Sequence, residues 1–358
     1  MVSAVTAPAL KPGATIAFIS PSERLNEIQP AAIARATELL SEKGYTVRTL
    51  FTKDTGTQSS IDNRHAEIRT AFLDPSVSAV ICTIGGGAFT QLLPTLIADE
   101  ELCSHVRDNP KIVVGASDMT GLHWFLYGCT GLRTFYGPSV IPELGTADSL
   151  DDGKSPLAFC VKHLFDVATK KEPLGDIPRS AVYAPKPPSF FYRGAGSVEV
   201  QEVVPAPTWQ WLRKGSARGR LFGGCLTVAA RLNGIPAIRP DWRGRIVFLE
   251  TSAGESRDLD LVQTGVADLI AQGVFDEAAG LVIGRPFGYD SEERREAYSS
   301  VFRELLCEGR LGAAKNQFPI LFGVDFGHTT PMVTLPYDVM ALLDSEGDKF
   351  AILEPSVG

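Results

Sequence analysis

KIVVGASDMTGLHWFLYGCTG, residues 111–131, runs from the apolar stretch Ile112–Val114 through Gly115 and Ser117 into an amphipathic segment that closes at Gly131. A short apolar run bounded by glycine reads as a strand buried on both faces, and the segment after it reads as a helix. Together they form a strand–turn–helix unit with Ser117 at the junction. The same alternation extends upstream. GATIAFISPS (13–22) is a strand ending in a Pro-Ser turn, QPAAIARATELLSEKGY (29–45) a helix with a glycine stop, and TVRTLF (46–51) a strand. NRHAEIRTAFLDP (63–75) is a helix closed by Asp-Pro, and VSAVICTI (77–84) is a buried strand followed by Gly85-Gly86-Gly87. FTQLLPTLIADEELC (89–103) supplies one or two helical pieces, and LRTFYGP (132–138) a strand and turn. Strands alternating with helices predict an α/β fold with a doubly wound, flavodoxin-like parallel sheet in the N-terminal half.

Near residue 168 the texture changes. TKKEPLGDIPRSAVYAPKPPSFFYRGAG (169–196) is rich in Pro, Lys and Gly and reads as a linker or long crossover. The expected organisation is therefore an N-terminal domain over 1–167, a linker over 168–200 and a β-rich α/β C-terminal domain over 201–358. The last of these contains GRIVFLE (244–250) and FPILFGVDFGHTTP (318–331).

The chain has 358 residues, enough for two domains, and a formal net charge of −8 with no basic stripe. That balance argues against nucleic acid or an anionic membrane as partner. No apolar run reaches the length of a membrane span, and the N-terminus lacks the pattern of a secretory signal. The six cysteines (82, 103, 129, 160, 225, 307) are scattered without a CxxC pair and read as reduced, mostly buried thiols of a cytoplasmic protein. No HExxH or zinc spacing is present, so structural zinc is not expected.

In a doubly wound sheet, ligands bind beyond the carboxyl ends of the strands, which is where Ser117 falls. Its hydroxyl either caps the helix or is presented as a nucleophile; GASDM shares the first Gly and central Ser of a nucleophile elbow but ends in Met119. A serine nucleophile needs a base and an acid that orients it. His123 lies on the same helix and faces away from its start, while His65, His105 and His163 sit in charged surroundings and read as solvated. His328, after Gly327 at a strand end, is either a turn residue or the base. Glu250 ends an apolar strand, as a hydrated strand end or as a carboxylate with a partner, and Asp325 competes for the orienting role.

These residues assemble into a resemblance. LKPGATIAFISPS, AFLDPSVSAVICTIGGG, GASDMTGL, GGCLTVAARLNGIP, GRIVFLE and FPILFGVDFGHTTPMVTLPYD, in that order over nearly the whole chain, resemble the signatures of the LD-carboxypeptidase family of serine peptidases, which includes the microcin C self-immunity carboxypeptidases. The resemblance implies a Ser117–Glu250–His328 triad. It also implies an oxyanion hole from the N–H groups of Asp118 and Gly86, with Gly85 and Gly87 as neighbouring alternatives. TIGGG with LRTFYGP resembles the microcin-immunity branch, since Ile84 stands where the muropeptide branch carries Arg. Ala88, Phe89, Cys225 and the residue after Glu250 depart from the branch pattern. Phe89 is expected to make the rim of the site apolar, and Trp209 and Trp211 either wall the cleft or serve ordinary packing.

The implied reaction is hydrolysis of a C-terminal amide in a small peptide-like or aminoacyl-nucleotide-like substrate, by a cytoplasmic homodimer. This family chemistry needs neither metal nor organic cofactor. Muropeptide recycling, acyl transfer to an amine and a non-enzymatic small-molecule binder are the alternatives.

Overall fold

The computed structural model describes residues 3–308 and 316–358. The first half supplies strands β1 (Thr15–Ile19), β2 (Thr46–Leu50), β3 (Val77–Cys82), β4 (Ile112–Gly115) and β5 (Phe135–Tyr136). They pair in parallel in the order β2-β1-β3-β4-β5. This is the flavodoxin-like order, as the alternating pattern predicts, and its switch point lies between β1 and β3. β3, β4 and β5 are almost wholly buried, which is why they read as unbroken apolar runs.

The remaining strands are β6 (Gly175–Asp176), β7 (Val182–Tyr183), β8 (Val204–Pro205), β9 (Gln210–Arg213), β10 (Ser216–Cys225), β11 (Arg245–Glu250), β12 (Gly280–Gly284), β13 (Ile320–Val324), β14 (Leu335–Pro336), β15 (Met340–Asp344) and β16 (Lys349–Ile352). A second sheet runs β6-β16-β15-β10-β11-β12-β13-β9, parallel from β10 to β13 and antiparallel on its flanks. β14 leaves this half of the chain and pairs antiparallel with β5, as the sixth strand of the first sheet. The β6 edge and β7 come from the Pro-rich segment, and β7 forms a two-stranded ribbon with β8 just beyond it.

One apolar core joins the two halves. The helix Thr120–Thr130 ends on Gly131, whose φ of 79° suits glycine. Its Trp124 is fully buried, packs against Phe222 and Trp242, and donates its indole N–H to the Gly223 carbonyl at 2.8 Å. The packing sets the carboxyl ends of β4, β11 and β13 around one cleft, lined by Ser117, His328 and Thr329. Among the described residues, no helix is long and apolar enough to cross a membrane.

Candidate active site

Ser117 follows β4 with φ 63°, a left-handed conformation that is unfavourable for any residue with a side chain. Three contacts hold it there. Its N–H donates to the Tyr136 hydroxyl at 2.8 Å. Its carbonyl accepts the Thr120 hydroxyl at 2.7 Å, and Thr120 Oγ1 accepts the Cys225 N–H at 3.0 Å, tying the turn to the second sheet. Gly85 lies against it so closely that a Cβ there would come within 2.5 Å of Ser117 Cβ. The hydroxyl makes no helix-capping bond and lines the cleft.

Glu250 ends β11, fully buried. Its Oε2 accepts both the His328 Nδ1–H at 2.7 Å and the His328 backbone N–H at 3.0 Å. Its Oε1 accepts the Tyr136 O–H at 2.5 Å. Gly327, at φ 88°, is required here, because a Cβ would lie 2.4 Å from Glu250 Cγ. Burial opposes a charge on His328, but the adjoining Glu250 carboxylate and its hydrogen bond outweigh burial, with a further contribution from Glu143, and the pKa rises to about 8. Burial likewise opposes ionisation of Glu250, and there too the imidazole and the hydrogen bonds prevail, leaving its pKa lowered.

Asp325, the competing orienter, is engaged elsewhere. It accepts the Trp209 indole N–H at 2.9 Å and pairs with buried Arg285. Arg285 also donates to Thr329 at 3.2 Å, so this pair braces the turn that carries His328 from below. Ser117 and His328 face one cleft of about 570 Å³, a size suited to a small organic ligand. Among the described residues, no hydrogen bond joins the Ser117 hydroxyl to the imidazole.

The Gly-rich turn borders the same cleft through Gly85 and Gly86. Gly86 has φ 137°, and a Cβ on it would strike Ser22 Oγ at 2.7 Å. The buried Asp118 carboxylate accepts the Ser22 hydroxyl at 2.6 Å and the Phe89 N–H at 2.8 Å, and pairs with Arg231 at 3.1 Å. It clips the β1 loop, the Gly-rich turn and the Ser117 turn together. Among the described hydrogen bonds, none is made by the backbone N–H of Gly86 or of Asp118. Gly87 is exposed and, unlike Gly85 and Gly86, does not line the cleft.

The expectation for Phe89 is corrected, and of the two readings of Trp209 and Trp211 the structure favours ordinary packing over walling the cleft. Phe89 is not on the rim. It is buried, and its ring lies so close to Gly121 that a Cβ there would come within 2.4 Å of it. Trp209 is buried on Asp325 with the Arg179 guanidinium stacked 4.3 Å above it, and Trp211 sits on the β9 edge bonded to Asp348 at 2.9 Å; neither lines the cleft. The wall comes instead from the Pro-rich segment, through Ala184, Lys186 and Phe191. His163 is also not solvated. It is buried and accepts the Thr334 N–H at 2.9 Å, with burial lowering its pKa to about 4. His123 is buried between Thr134 and the Gly115 carbonyl, away from Ser117.

Tyr136 and Glu143 were not singled out from the sequence. The available signals were a tyrosine ending a buried strand, whose hydroxyl needs a partner, and one charged residue in the uncharged run YGPSVIPEL (136–144). Among the described residues, no group of three or more His, Cys, Asp or Glu could hold a metal ion. The cysteines are free thiols, with Cys82, Cys103, Cys160 and Cys225 buried.

Comparison with known proteins identifies the family and the fold. The profile of the LD-carboxypeptidase N-terminal domain matches residues 16–137, and that of the C-terminal domain matches residues 218–343. A Vibrio cholerae protein whose name assigns it provisionally to the carboxypeptidases is 30% identical over 355 residues, covering 97% of each chain. The microcin C7 self-immunity protein MccF of Escherichia coli is 27% identical, covering 96% of this chain and 94% of its own. The solved structure of MccF in complex with aspartyl sulfamoyl adenosine superposes with a TM-score of 0.82 at 25% identity, covering 99% of this chain and 100% of that one.

Proposed function

This chain belongs to the LD-carboxypeptidase family of serine peptidases, and from that premise we propose that Ser117, His328 and Glu250 form a catalytic triad that hydrolyses the amide of a small aminoacyl-nucleotide-like or peptide-like substrate. The observation that carries this reading is the His328 Nδ1–Glu250 bond of 2.7 Å beside a strained serine facing the same cleft.

In this reading, Ser117 Oγ attacks the acyl carbonyl while the free imidazole nitrogen takes its proton. Glu250 fixes the ring orientation and stabilises the imidazolium. The oxyanion is received by the N–H groups of Gly86 and Asp118, each contributing about 3 kcal/mol to the transition state. The C–N bond then breaks, and His328 returns the proton to the leaving nitrogen. Water repeats the sequence on the ester and frees the carboxylic acid and Ser117. The reading carries with it a cytoplasmic homodimer.

The substrate class rests on the apolar wall that Ile84 gives the cleft and on the ligand of the MccF complex. An arginine there would offer a forked contact to a substrate carboxylate, which Ile84 does not. The test is to compare kcat/KM on aspartyl sulfamoyl adenosine and on a cell-wall tetrapeptide. Release of aspartate with a clear preference for the first supports the reading. Preference for the tetrapeptide transfers the enzyme to muropeptide recycling, and formation of amides from added amines identifies an acyl transferase.

A further inference from the structure

Glu143 takes no part in the chemistry above. It leaves β5 on a turn whose Ser139 N–H donates to its Oε2 at 2.8 Å. It lines the same cleft as Ser117 and His328, against the apolar surfaces of Ile84, Ile141 and Pro142. Among the described residues, no lysine or arginine pairs with it. The cations that line this cleft, Lys186 and Arg257, are exposed, and Lys186 faces Glu202 at 3.3 Å. The titratable groups whose fields reach Glu143 include His328 and Glu250, and the buried Cys160 thiol feels the Glu143 charge as well. Burial, opposed by the Ser139 bond, pushes its pKa up to about 7. A carboxylate set in an apolar wall without a cation is stabilised by any ligand that brings one.

We infer that Glu143 anchors a free ammonium group on the substrate, the amine of the acyl unit whose carbonyl Ser117 attacks. The inference rests on the hydrolase reading and narrows it: the enzyme takes acyl groups with an unblocked amine and rejects des-amino and N-acylated ones. Recognition is also coupled to the base. The negative charge of Glu143 helps hold the proton on His328, and a bound ammonium cancels that charge, so the imidazole is released for catalysis when an amine-bearing substrate is seated.

The test uses glutamyl sulfamoyl adenosine and its des-amino analogue, glutaryl sulfamoyl adenosine. Both are titrated calorimetrically into Ser117→Ala and assayed as substrates of the active enzyme, each with and without Glu143→Gln. Glutamine keeps an acceptor for the Ser139 N–H, so the turn is retained, and preference is read as a ratio within each variant. With Glu143 present, the free amine is preferred by roughly a hundredfold, the upper scale of a charge-assisted contact. In the Glu143→Gln variant, the ratio falls below about threefold, because the amide carries no charge to match the ammonium. An unchanged ratio in the variant, no preference in either form, or no binding of either compound overturns the anchor. Preferential binding of the amine without hydrolysis overturns the hydrolase reading and leaves the anchor standing.

Discussion

The hydroxyl of Tyr136 accepts the backbone N–H of Ser117 at 2.8 Å and donates its own proton to Glu250. One phenol thus joins the strained turn of the first sheet to the carboxylate that ends a strand of the second. It satisfies a buried N–H that the left-handed turn would otherwise leave unpaired. It also helps keep Glu250 ionised.

Tyr136→Phe removes both bonds without changing the ring. Leaving a buried N–H unsatisfied costs about 1–3 kcal/mol, to be read from urea melts. The Ser117 turn is loosened at the same time, so kcat is expected to fall at least about tenfold. Unchanged kcat with lowered stability would assign the tyrosine to packing alone.

Ser117→Ala is expected to lower kcat by about a thousandfold or more, the scale of losing a nucleophile, with little change in Tm. Ser117→Gly relieves the positive φ and should raise stability by roughly 1 kcal/mol while being equally inactive. Denaturant melts and turnover on one substrate separate the two effects. A glycine variant less stable than wild type would contradict the strain at this residue.

In the proposed mechanism His328 must be neutral to accept a proton, and its pKa in the free protein is raised to about 8. The kcat/KM profile should therefore rise with pH to a midpoint near 8 and fall about tenfold per unit below it. Glu143, at about 7, titrates beside it, so the limb belongs to the pair. Glu143→Gln removes a negative neighbour and moves the limb to lower pH. A limb unmoved by that change would mean the two groups do not interact.

Phe89→Ala should act on stability and leave substrate choice alone. The ring is buried against Gly121, and deleting such a side chain costs about 3–5 kcal/mol. The ratio of kcat/KM between an aromatic and an aliphatic substrate should not change. A shift in that ratio would return Phe89 to the substrate rim.

What was legible in the sequence was local. The runs at β1, β3 and β4 are apolar because both faces are covered, and that alone predicts a doubly wound sheet. Ser117, Glu250 and His328 each stand at a strand end, where a polar residue after an apolar run is conspicuous. Other assignments failed where a side chain's direction depends on distant packing. Phe89 and Trp209 look alike in sequence whether they face solvent, ligand or core; the positions of Gly121 and Asp325 decide, and neither is adjacent in the chain. His163 lies among charged neighbours, yet its ring is committed to a backbone N–H of Thr334, far along the chain. The Pro-rich composition of 184–191 announces irregular backbone and is silent about the cleft it walls.

The sixth strand of the first sheet has a consequence for biosynthesis. β14 covers the edge of β5, the strand that ends in Tyr136. While residues 335–336 are still untranslated, that edge has unpaired backbone groups and can pair with a neighbouring chain. Glu250, the acceptor of the Tyr136 proton, also emerges late. A nascent N-terminal half therefore holds its serine through Tyr136 and Thr120 but lacks the Glu250 and Cys225 contacts that tie those two residues to the second sheet. Hydrolytic power arrives only after the far segment has threaded back, so an interrupted translation product is sticky rather than active.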